Sequence, residues 1–381
     1  MLAKVHGLIT AVVSAALVLA AAPHARAQAL DAPFLALFPQ LRQMPAPDWV
    51  RPGVRITYET SSATIAATPD DRGNAGGGFL QVDVVAVNDK EVALSVRPLN
   101  RPGLPGVIVP STPASYVGPP GAGCDFYLNP DVFKQALDRH DEGFLAFRAP
   151  YECAGKKFDA VHMQRTAGSS QKTWIYDAKS GVLLHWGSTT ENGTSRALAS
   201  SELRSIRTLK LPWAGAPVSE SFAQAQSMHY TGQHTSNLQP GFAPTGTLLM
   251  DERVVARGAS WVQLKHHVEI GALTPNTPPV TQDSVILAGR AQLGGLYVPP
   301  EGLGALRAGQ LLDRDPATGF DTRVAEVGPG SRGARVVTII ERGQDFSTAW
   351  TYDAETGWLV AQRTSADYLH MVFDLQLDAR N

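Results

Sequence analysis

The sequence predicts a mainly β protein (α+β) of two tandem duplicated units, each a curved antiparallel sheet with one short helix. Three observations predict this fold class. The phrase TWIYDAKSGVLL from Thr173 returns as AWTYDAETGWLV from Ala349. Apolar and β-branched residues run or alternate over strand lengths in stretches such as FLQVDVVAV and RVVTIIER. The 35 glycines and 27 prolines supply the turns that many short strands require.

The repeated phrase belongs to a longer series of matches that keeps its order in both halves of the chain. LDRHDEGF from Leu137 matches LDRDPATGF from Leu312, and YVGPPGAG from Tyr116 matches YVPPEGLG from Tyr297. Two such copies are two domains of one kind, because solenoids and propellers repeat every 20 to 50 residues or so. We therefore expect units at 45–213 and 225–381, joined by the linker-like stretch LPWAGAPVSESFAQAQ.

Each copy of the repeated phrase is predicted to be a strand followed by a tight turn. Asp177 accepts hydrogen bonds from backbone N–H groups two residues on, and Gly181 takes the left-handed conformation that closes the turn. The second copy has Asp and Gly at the same places. Trp174 and Tyr176 are two residues apart and therefore lie on one face of the strand.

One helix is predicted in each unit. In NPDVFKQALDRH, Asn129 is the cap, Pro130 lies in the first turn, and apolar residues recur on one face. LGALRAGQLLDRD occupies the matching place in the second unit, although Gly309 weakens the helical pattern. A curved antiparallel sheet with one helix against its concave side fits each unit.

The N-terminus has the three parts of a secretory signal peptide. Lys4 gives a basic start, an apolar run covers Leu8–Ala22, and Ala25 and Ala27 form an A-x-A pattern. We expect cleavage after Ala27, with Ala29 as the alternative site, so that residues 1–27 are the signal peptide. The protein is then periplasmic or secreted, and the Ala-rich signal indicates a bacterium. No other long apolar run follows, so no transmembrane segment is expected after cleavage.

The charge of the mature chain argues against anionic partners. Removing residues 1–27 takes away Lys4 and Arg26, which leaves 31 basic against 35 acidic residues and a net charge of −4. No cluster of lysine and arginine is present, so we expect neither a nucleic-acid partner nor binding to an anionic membrane surface. Charged residues make up 18% of the chain, below the usual value of about 25%, which indicates many neutral surfaces.

The two cysteines, Cys124 and Cys153, are predicted to form a disulfide. An even pair in an oxidising compartment favours this bond, which would close a loop of about 30 residues and stabilise the fold by about 3 kcal/mol. The alternative is a nucleophilic Cys124 in GAGCDF, which lacks a His or Asn context that would activate the thiol. The residues around Cys124 are predicted to be an elaboration of the first unit, absent from the second and pinned by the disulfide.

Sequence motifs for catalysis are missing. The chain has no G-x-S-x-G elbow, H-E-x-x-H, C-x-x-C, P-loop or strand-linked G-x-G-x-x-G. The acidic residues that stand out lie at turns or helix ends, where Asp has a structural role: Asp138, Asp177, Asp313 and Asp353. We therefore assign no catalytic residue and no cofactor.

Histidine and methionine occur together in SMHYTGQH, which contains Met228, His229 and His234. Thioether and imidazole groups suit copper, and His266 and His267 lie in the same unit. The alternative is chance proximity among ten histidines, and His266 and His267 point to opposite faces if they lie in a strand. No metal site is assigned, and Met228, His229 and His234 are kept as candidate ligands.

Aromatic residues are the candidates for ligand binding. The alternative for them is packing in the core; the functional interpretation is the lining of an apolar cavity under a curved sheet, because Trp and Tyr offer a large contact area with a polar tip. The candidates are the two strand pairs and the tyrosines of the two Tyr-Val segments: Trp174, Tyr176, Trp350, Tyr352, Tyr116 and Tyr297.

With its signal peptide, strand-rich units and YDAxxG hairpin, the chain resembles periplasmic carriers of the lipoprotein-localisation type. In those proteins an open half-barrel of antiparallel strands closes over short helices. The resemblance covers each unit separately, and it implies a role in binding an apolar ligand or lipid. It carries over no functional residue.

Three classes of function follow from the sequence. The first is an exported non-enzymatic protein that binds an apolar small molecule or lipid, or a partner protein of the bacterial envelope. The second is a hydrolase or metal-dependent enzyme acting on an extracellular substrate. The third is a structural component of an envelope assembly that uses neutral surfaces and sheet edges. The missing catalytic motifs favour the first.

Overall fold

The structure is a computed structural model that describes residues 33–66, 75–101, 108–139, 141–193, 195–236, 245–271, 278–330, 333–366 and 371–377. The predicted signal peptide and both candidate cleavage sites lie outside these residues. Strands make up 61% and helices 8% of the described residues, in two large antiparallel sheets of nine and ten strands. The fold class predicted from the sequence is therefore confirmed. No helix in the described ranges has the length and apolar composition needed to cross a bilayer.

The chain divides into two compact units. The first comprises Ala29–Pro105 and Ser115–Leu209, and the second comprises Lys210–Asn381 together with Gly106–Ala114. The stretch predicted to be a linker carries ordered side chains that belong to the second unit. Trp213 is fully buried there, and its indole nitrogen donates a hydrogen bond to the carbonyl of Gln292 at 3.3 Å.

The first half of the chain contains two α-helices, one 3₁₀ helix and ten strands. In chain order they are α1 (Phe34–Leu37), the 3₁₀ helix (Pro39–Arg42), β1 (Val54–Ala66), β2 (Ala75–Val87), β3 (Val92–Arg101), β4 (Val109–Pro110), β5 (Ala114–Gly118), α2 (Val132–Leu137), β6 (Phe144–Cys153), β7 (Lys156–Ala167), β8 (Ser170–Asp177), β9 (Leu183–Asn192) and β10 (Ser195–Thr208). The sheet of the first unit has the order β3-β2-β1-β10-β9-β8-β7-β6, and β5 also pairs with β3. Its first strand, β1, therefore pairs with its last, β10.

The second half repeats this arrangement. Its elements are α3 (Glu220–Gln224), β11 (Ser227–Ser236), β12 (Thr245–Arg257), β13 (Trp261–Ile270), β14 (Val280–Gly289), α4 (Pro300–Gly304), β15 (Leu311–Arg314), β16 (Asp321–Pro329), β17 (Arg335–Arg342), β18 (Phe346–Asp353), β19 (Leu359–Ala366) and β20 (Met371–Leu377). The sheet order is β14-β13-β12-β11-β20-β19-β18-β17-β16-β15. Again the first strand pairs with the last.

The repeated phrase forms the same hairpin at the same place in both sheets, between β8 and β9 and between β18 and β19. The Asp177 carboxylate accepts from the Ser180 N–H at 2.9 Å, and the Asp353 carboxylate accepts from the Thr356 N–H at 2.8 Å. The glycine that ends each turn has a positive φ, 75° at Gly181 and 84° in the second copy. The phrase therefore occurs twice because both sheets have the same turn at this position, and its Asp and Gly form that turn as the sequence predicted.

In the first unit, one face of the sheet is packed under the helices. Phe34 of α1 and Phe133 of α2 are buried against side chains of β8. We call this the helix-covered face, and we use the same term for the corresponding face of the second sheet, which carries Tyr352 and Tyr230. The apolar residues that alternate along the strands lie on this face, as the period of two requires.

The opposite face of the first sheet contains a buried ion pair. Arg55 of β1 and Asp83 of β2 are register partners. They form two hydrogen bonds, Nε to Oδ1 at 2.6 Å and Nη2 to Oδ2 at 2.7 Å. Arg55 is 1% and Asp83 is 6% exposed, so the two opposite charges compensate each other where little water reaches them.

The helices differ in part from the prediction. α2 forms within NPDVFKQALDRH, and the Asn129 side chain accepts from the Asp131 N–H at 2.9 Å just before the helix begins. The second predicted helix, LGALRAGQLLDRD, is wrong over most of its length. α4 ends at Gly304, and Leu311–Arg314 form a strand. Gly309 has a φ of 80°, which is incompatible with a continuing helix.

Candidate functional site

The predicted ligand-binding pair of the first unit is buried under the helices. Trp174 is 2% and Tyr176 is 0% exposed. The Phe34 ring meets Trp174 edge-on at 5.0 Å and Tyr176 at 5.8 Å between ring centroids. The Tyr176 hydroxyl donates to the carbonyl of Asp125 at 3.0 Å. Side chains of the chain itself therefore occupy the space next to this pair.

The pair of the second unit has the same type of surroundings. Trp350 is 7% and Tyr352 is 0% exposed. The Tyr352 hydroxyl donates to the carbonyl of Gly295 at 2.9 Å. Trp350 lies so close to Gly294 that a Cβ there would come within 3.0 Å of its ring. The loop before α4 thus packs on the Trp350 and Tyr352 pair, just as the loop before α2 packs on the pair of the first unit.

The two remaining tyrosine candidates are not equivalent, and the sequence match between their segments is wrong. Tyr297 forms an isolated bridge with Trp358, and Tyr127 forms the same bridge with Val182 at the matching position of the first hairpin. Tyr127, fully buried, is therefore the counterpart of Tyr297. The shared Tyr-Val and Pro-Pro residues led to the wrong match with Tyr116. Tyr116 lies on β5, and its hydroxyl donates a hydrogen bond to the carbonyl of Ala122 at 3.2 Å.

The same correction applies to the loop around Cys124. This loop has a counterpart in the second unit, so the predicted elaboration is wrong. Cys124 has a φ of 55°, and the residue that occupies its place before the matching tyrosine is Gly294, with a φ of 77°. Both loops require a left-handed residue here, which glycine adopts at lower cost than cysteine.

The predicted disulfide is also wrong. The structure contains no bond between Cys124 and Cys153, and both thiols are buried. Cys124 lies near Tyr116, whereas Cys153 ends β6 near Glu202 and Arg204. A disulfide requires Cα atoms within about 7 Å of each other, and neither the number of cysteines nor the cell compartment determines that distance.

Burial should make the thiols unreactive. Burial and the nearby Glu202 carboxylate raise the pKa of Cys153 to about 11, against the opposite effect of Arg204. At pH 8 only about one thiol in a thousand is then ionised. We expect the native protein to leave DTNB unreacted over minutes at pH 8 and to release two equivalents of thiol after unfolding without reductant. Fewer than two equivalents would show that a disulfide exists.

The three candidate metal ligands do not come together. Met228 and His234 lie on the helix-covered face, and His229, between them in sequence, lies on the other. Met228 accepts from the Tyr230 hydroxyl at 3.7 Å, and His234 Nε2 contacts the carbonyl of Gly271 at 2.7 Å. Burial lowers the pKa of His234. No three His, Cys, Asp or Glu side chains in the described ranges converge on a common point.

A feature that the sequence analysis missed is the free edge of β6. This strand is the last of the first sheet, so one of its long edges has no strand neighbour in the part of the chain that the structure describes. Leu145 and Phe147, two residues apart and on one face, are 53% and 44% exposed. A free edge that also displays large apolar side chains is a surface for pairing with another chain.

The second unit shows how the same edge is protected in its sister sheet. There β15 pairs with β16 and covers the position that is open in the first unit. Trp174 and Trp350 occupy equivalent positions in the two sheets. Following register partners from Trp174 across β7 leads to Ala146 on β6, and following them from Trp350 across β17 leads to Val324 on β16. This correspondence aligns the two edge strands residue by residue.

Charged residues stand on β16 where β6 has apolar ones. Arg323 corresponds to Leu145, and Glu326 corresponds to Phe147 across the bulge in β16. Both charged residues are exposed. Arg323 is itself the register partner of Leu311 on β15. The second unit therefore has a covered edge strand with charged residues at these positions, and the first unit has an open edge strand with apolar ones.

Behind Phe147 lies a cluster of polar aromatic groups. The Phe147 ring stacks on His162 at 4.8 Å with an interplanar angle of 14°. Tyr151 lies 6.1 Å from His162 and 6.0 Å from His185, and its hydroxyl donates to the Glu202 carboxylate at 3.4 Å. Burial lowers the pKa of both imidazoles. They are therefore neutral at pH 7, and Phe147 rests on an uncharged support.

A shallow depression of about 440 Å³ lies in the second unit. Its lining includes Thr318, Phe320 and Arg342. None of the six aromatic candidates for ligand binding is among its lining residues. The depression therefore does not connect with the predicted aromatic sites.

Comparison with known proteins gives no family. No family model matches the chain, and no curated protein matches it. Among solved structures, a complex of MucB with MucA(peri) aligns with 92% of this chain and 94% of its own, at 10% identity and a TM-score of 0.22. A protein of unknown function from the DUF3598 family of Nostoc punctiforme PCC 73102 aligns with 84% and 95%, at 10% identity and a TM-score of 0.14. At these scores the resemblance to lipoprotein carriers stays a prediction.

Proposed function

We propose that this protein is a non-enzymatic binding protein of the bacterial envelope that accepts an extended segment of a partner protein as an additional strand along β6. The observation that carries the proposal is the open edge of β6 with Leu145 and Phe147 exposed on one face. Main-chain hydrogen bonds along such an edge supply affinity, and alternate side chains supply specificity.

The comparison of the two sheets supports a functional interpretation of this edge. A duplicated fold offers two chances to protect the same position, and within the described ranges only the second unit covers it with a further strand, β15. An edge left open by accident would be a hazard for aggregation. A free edge that is kept apolar in one unit is therefore best explained by a partner that covers it.

The interior of the sheet favours a protein partner over a small apolar ligand. A ligand beside Trp174 or Tyr176 would have to displace Phe34 and Phe133, which already bury these rings. A partner that pairs with β6 requires no such displacement. We therefore place the binding surface on the edge of the sheet and not beneath its helices.

The side chains of β6 indicate the chemistry of the partner. Leu145 and Phe147 would meet apolar residues that alternate along an extended segment. Arg148, which follows Phe147 in β6 and lies on the opposite face of the strand, is already paired with Asp159 of β7. The contact therefore requires no charged motif in the partner, in keeping with a chain of low charge content.

The test is a charge transplant from the second unit. The double variant Leu145→Arg, Phe147→Glu introduces the charges that β16 carries at these positions. Val255→Glu is the matched control, because Val255 is 55% exposed on the second unit. Mature tagged protein would be used to capture partners from the envelope fraction of the native host, with a photo-crosslinking residue at position 145 in parallel. The captured protein would then be purified and its affinity measured.

We expect the charge transplant to weaken binding of the purified partner at least tenfold, or by about 1.4 kcal/mol. The control should bind as the wild type does. All three proteins should keep the same melting temperature, because the altered side chains are exposed. Equal affinity of wild type and charge transplant, or crosslinks that do not involve β6, would refute the proposal.

A further inference from the structure

The main chain of β6 presents alternate residues to the open edge. The Thr166 N–H donates to the carbonyl of Gly143 at 2.8 Å, so Gly143 and every second residue after it direct their main-chain groups towards β7. The same alternation holds further along the strand. The carbonyl of Asp159, the register partner of Pro150, accepts from the Ala178 N–H at 2.8 Å, on the side of β8. The even-numbered residues of β6 therefore direct their main-chain groups away from β7 and form the open edge.

Only a short part of this edge can hydrogen-bond fully to another strand. At its start, Phe144 already donates its N–H to the carbonyl of Asp141 at 3.1 Å. Further on, Pro150 has no N–H to donate. Between these two limits, Ala146 and Arg148 each present an N–H and a carbonyl that have no main-chain partner among the residues that the structure describes. A ladder along β6 is therefore confined to the neighbourhood of these two residues.

The second unit shows how a strand occupies the same position. Val324 of β16 is the residue equivalent to Ala146, and both of its main-chain groups are bonded to the segment that leads into β15. Its N–H donates to the carbonyl of Gln310 at 2.9 Å, and its carbonyl accepts from the Gly309 N–H at 2.8 Å. β15 runs antiparallel to β16. The bonds that Ala146 leaves open are thus made within the chain in the second unit.

The side chains of β6 distinguish between the possible registers of an added strand. A segment centred opposite Arg148 would place one of its flanking residues beside Ala149, which offers only a methyl group. A segment centred opposite Ala146 places its flanking residues beside Leu145 and Phe147, which are 53% and 44% exposed. Cross-strand pairs of large apolar side chains stabilise a sheet. The second register therefore combines a complete set of main-chain groups with the larger apolar contact.

We propose, on the basis of the function proposed above, that the partner segment pairs with β6 in the antiparallel direction, with its central residue opposite Ala146 and its ladder ending before Pro150. The two residues that flank the central one lie beside Leu145 and Phe147, and the central residue lies on the helix-covered face. The motif recognised in the partner is then a stretch of about five residues in which two apolar side chains are separated by one residue. β15 of the second unit makes within the chain the contact that the partner makes with the first unit.

A synthetic peptide tests this register on the purified mature protein. The probe is Lys-Thr-Val-Ala-Val-Thr-Lys with both ends blocked, and its two valines are separated by one residue. The control peptide, Lys-Val-Thr-Ala-Thr-Val-Lys, has the same composition with its valines moved to the other face of the strand. We expect saturable binding of the probe, and binding of the control peptide that is weaker by about fivefold or more.

Two substitutions at one position test the main-chain bond. Ala146→Pro removes the N–H at the open edge without removing a bond to β7. Ala146→Val introduces the residue of the second unit and keeps this N–H, so it is the matched control. We expect Ala146→Pro to weaken binding of the probe by about fivefold or more and Ala146→Val to bind it within about twofold of the wild type. The melting temperature of each variant shows whether the first unit remains folded.

Hydrogen exchange of the wild type, resolved by residue, tests the same register without any substitution. The bound probe should slow exchange of the Ala146 and Arg148 amides and leave that of Glu152 unchanged. Direction is tested by a nitroxide label on the N-terminus of the probe. In an antiparallel pair this end lies towards Glu152, so the label should broaden amide signals there and not at Gly143.

Four results would overturn this register. They are no saturable binding of the probe up to millimolar concentration, equal affinity for the two peptides, equal affinity of Ala146→Pro and Ala146→Val, and broadening at Gly143 in place of Glu152. Each of them leaves the proposed function standing if the captured partner still crosslinks to position 145. Absence of that crosslink would instead refute the proposed function, so the two failures can be told apart.

Discussion

Replacing Trp174 by alanine is expected to lower the free energy of unfolding of the first unit by about 3–5 kcal/mol, the usual cost of removing a buried tryptophan. Trp174 is 2% exposed, and its ring is held edge-on by Phe34. The substitution leaves a cavity between β8 and α1 that the rigid strands cannot fill. A loss of this size is a large share of the stability of a typical domain. The measurement is urea denaturation followed by tryptophan fluorescence and circular dichroism.

The same experiment separates core packing from ligand binding. Trp186, the register partner of Trp174 on β9, is only half-buried, so Trp186→Ala is the matched control and should cost much less. Binding of a hydrophobic fluorescent probe would be measured on each protein. The packing interpretation is wrong if the wild type binds the probe, the Trp174→Ala variant does not, and the variant loses less than about 1 kcal/mol of unfolding free energy. Trp174 would then line an apolar pocket.

The second large effect concerns the ion pair in the first sheet. We expect Asp83→Ala to destabilise the first unit by about 3–5 kcal/mol, because it leaves the charge of Arg55 buried without its carboxylate. The two side chains are 2% and 8% exposed, and two hydrogen bonds join them. Denaturation at pH 7 would report the loss as a lower urea midpoint.

The double variant Arg55→Met, Asp83→Leu is the control. Replacing both charges by apolar groups of similar volume removes the cost of desolvation together with the attraction, so its stability should lie close to that of the wild type. A double variant as unstable as Asp83→Ala would show that the ion pair adds to the free energy of unfolding beyond offsetting the cost of burying its own two charges. A single variant of wild-type stability would show that water reaches Arg55.

Local chemistry was readable from the sequence, and the parts set by pairing were not. Strand periodicity and the Asp and Gly of the YDA turn are properties of a few adjacent residues, and they predicted the sheets and the repeated hairpin. The second helix failed because Gly309 and the pairing of β15 with β16 overrode a modest helical pattern. The match of Tyr116 to Tyr297 failed because identical residue types do not guarantee equivalent positions. The isolated bridges to the two hairpins show that Tyr127 is the residue equivalent to Tyr297.

The candidate site depends on which strand ends a sheet, and no residue encodes that by itself. Leu145 and Phe147 alternate with less apolar residues as they would in any half-buried strand. Only the strand order shows that β6 has no further neighbour among the described residues.

In each sheet the pairing of the first strand with the last affects how the chain can fold. Val54 pairs with Thr208, and Tyr230 pairs with Leu377, so each sheet is closed by residues roughly 150 positions apart. The entropy of closing such loops must be overcome first, which makes folding slow. Hairpins such as β6–β7 can form early, but neither sheet is complete until its final strand has been synthesised. Late closure would keep the chain unfolded during translocation, as its predicted export requires.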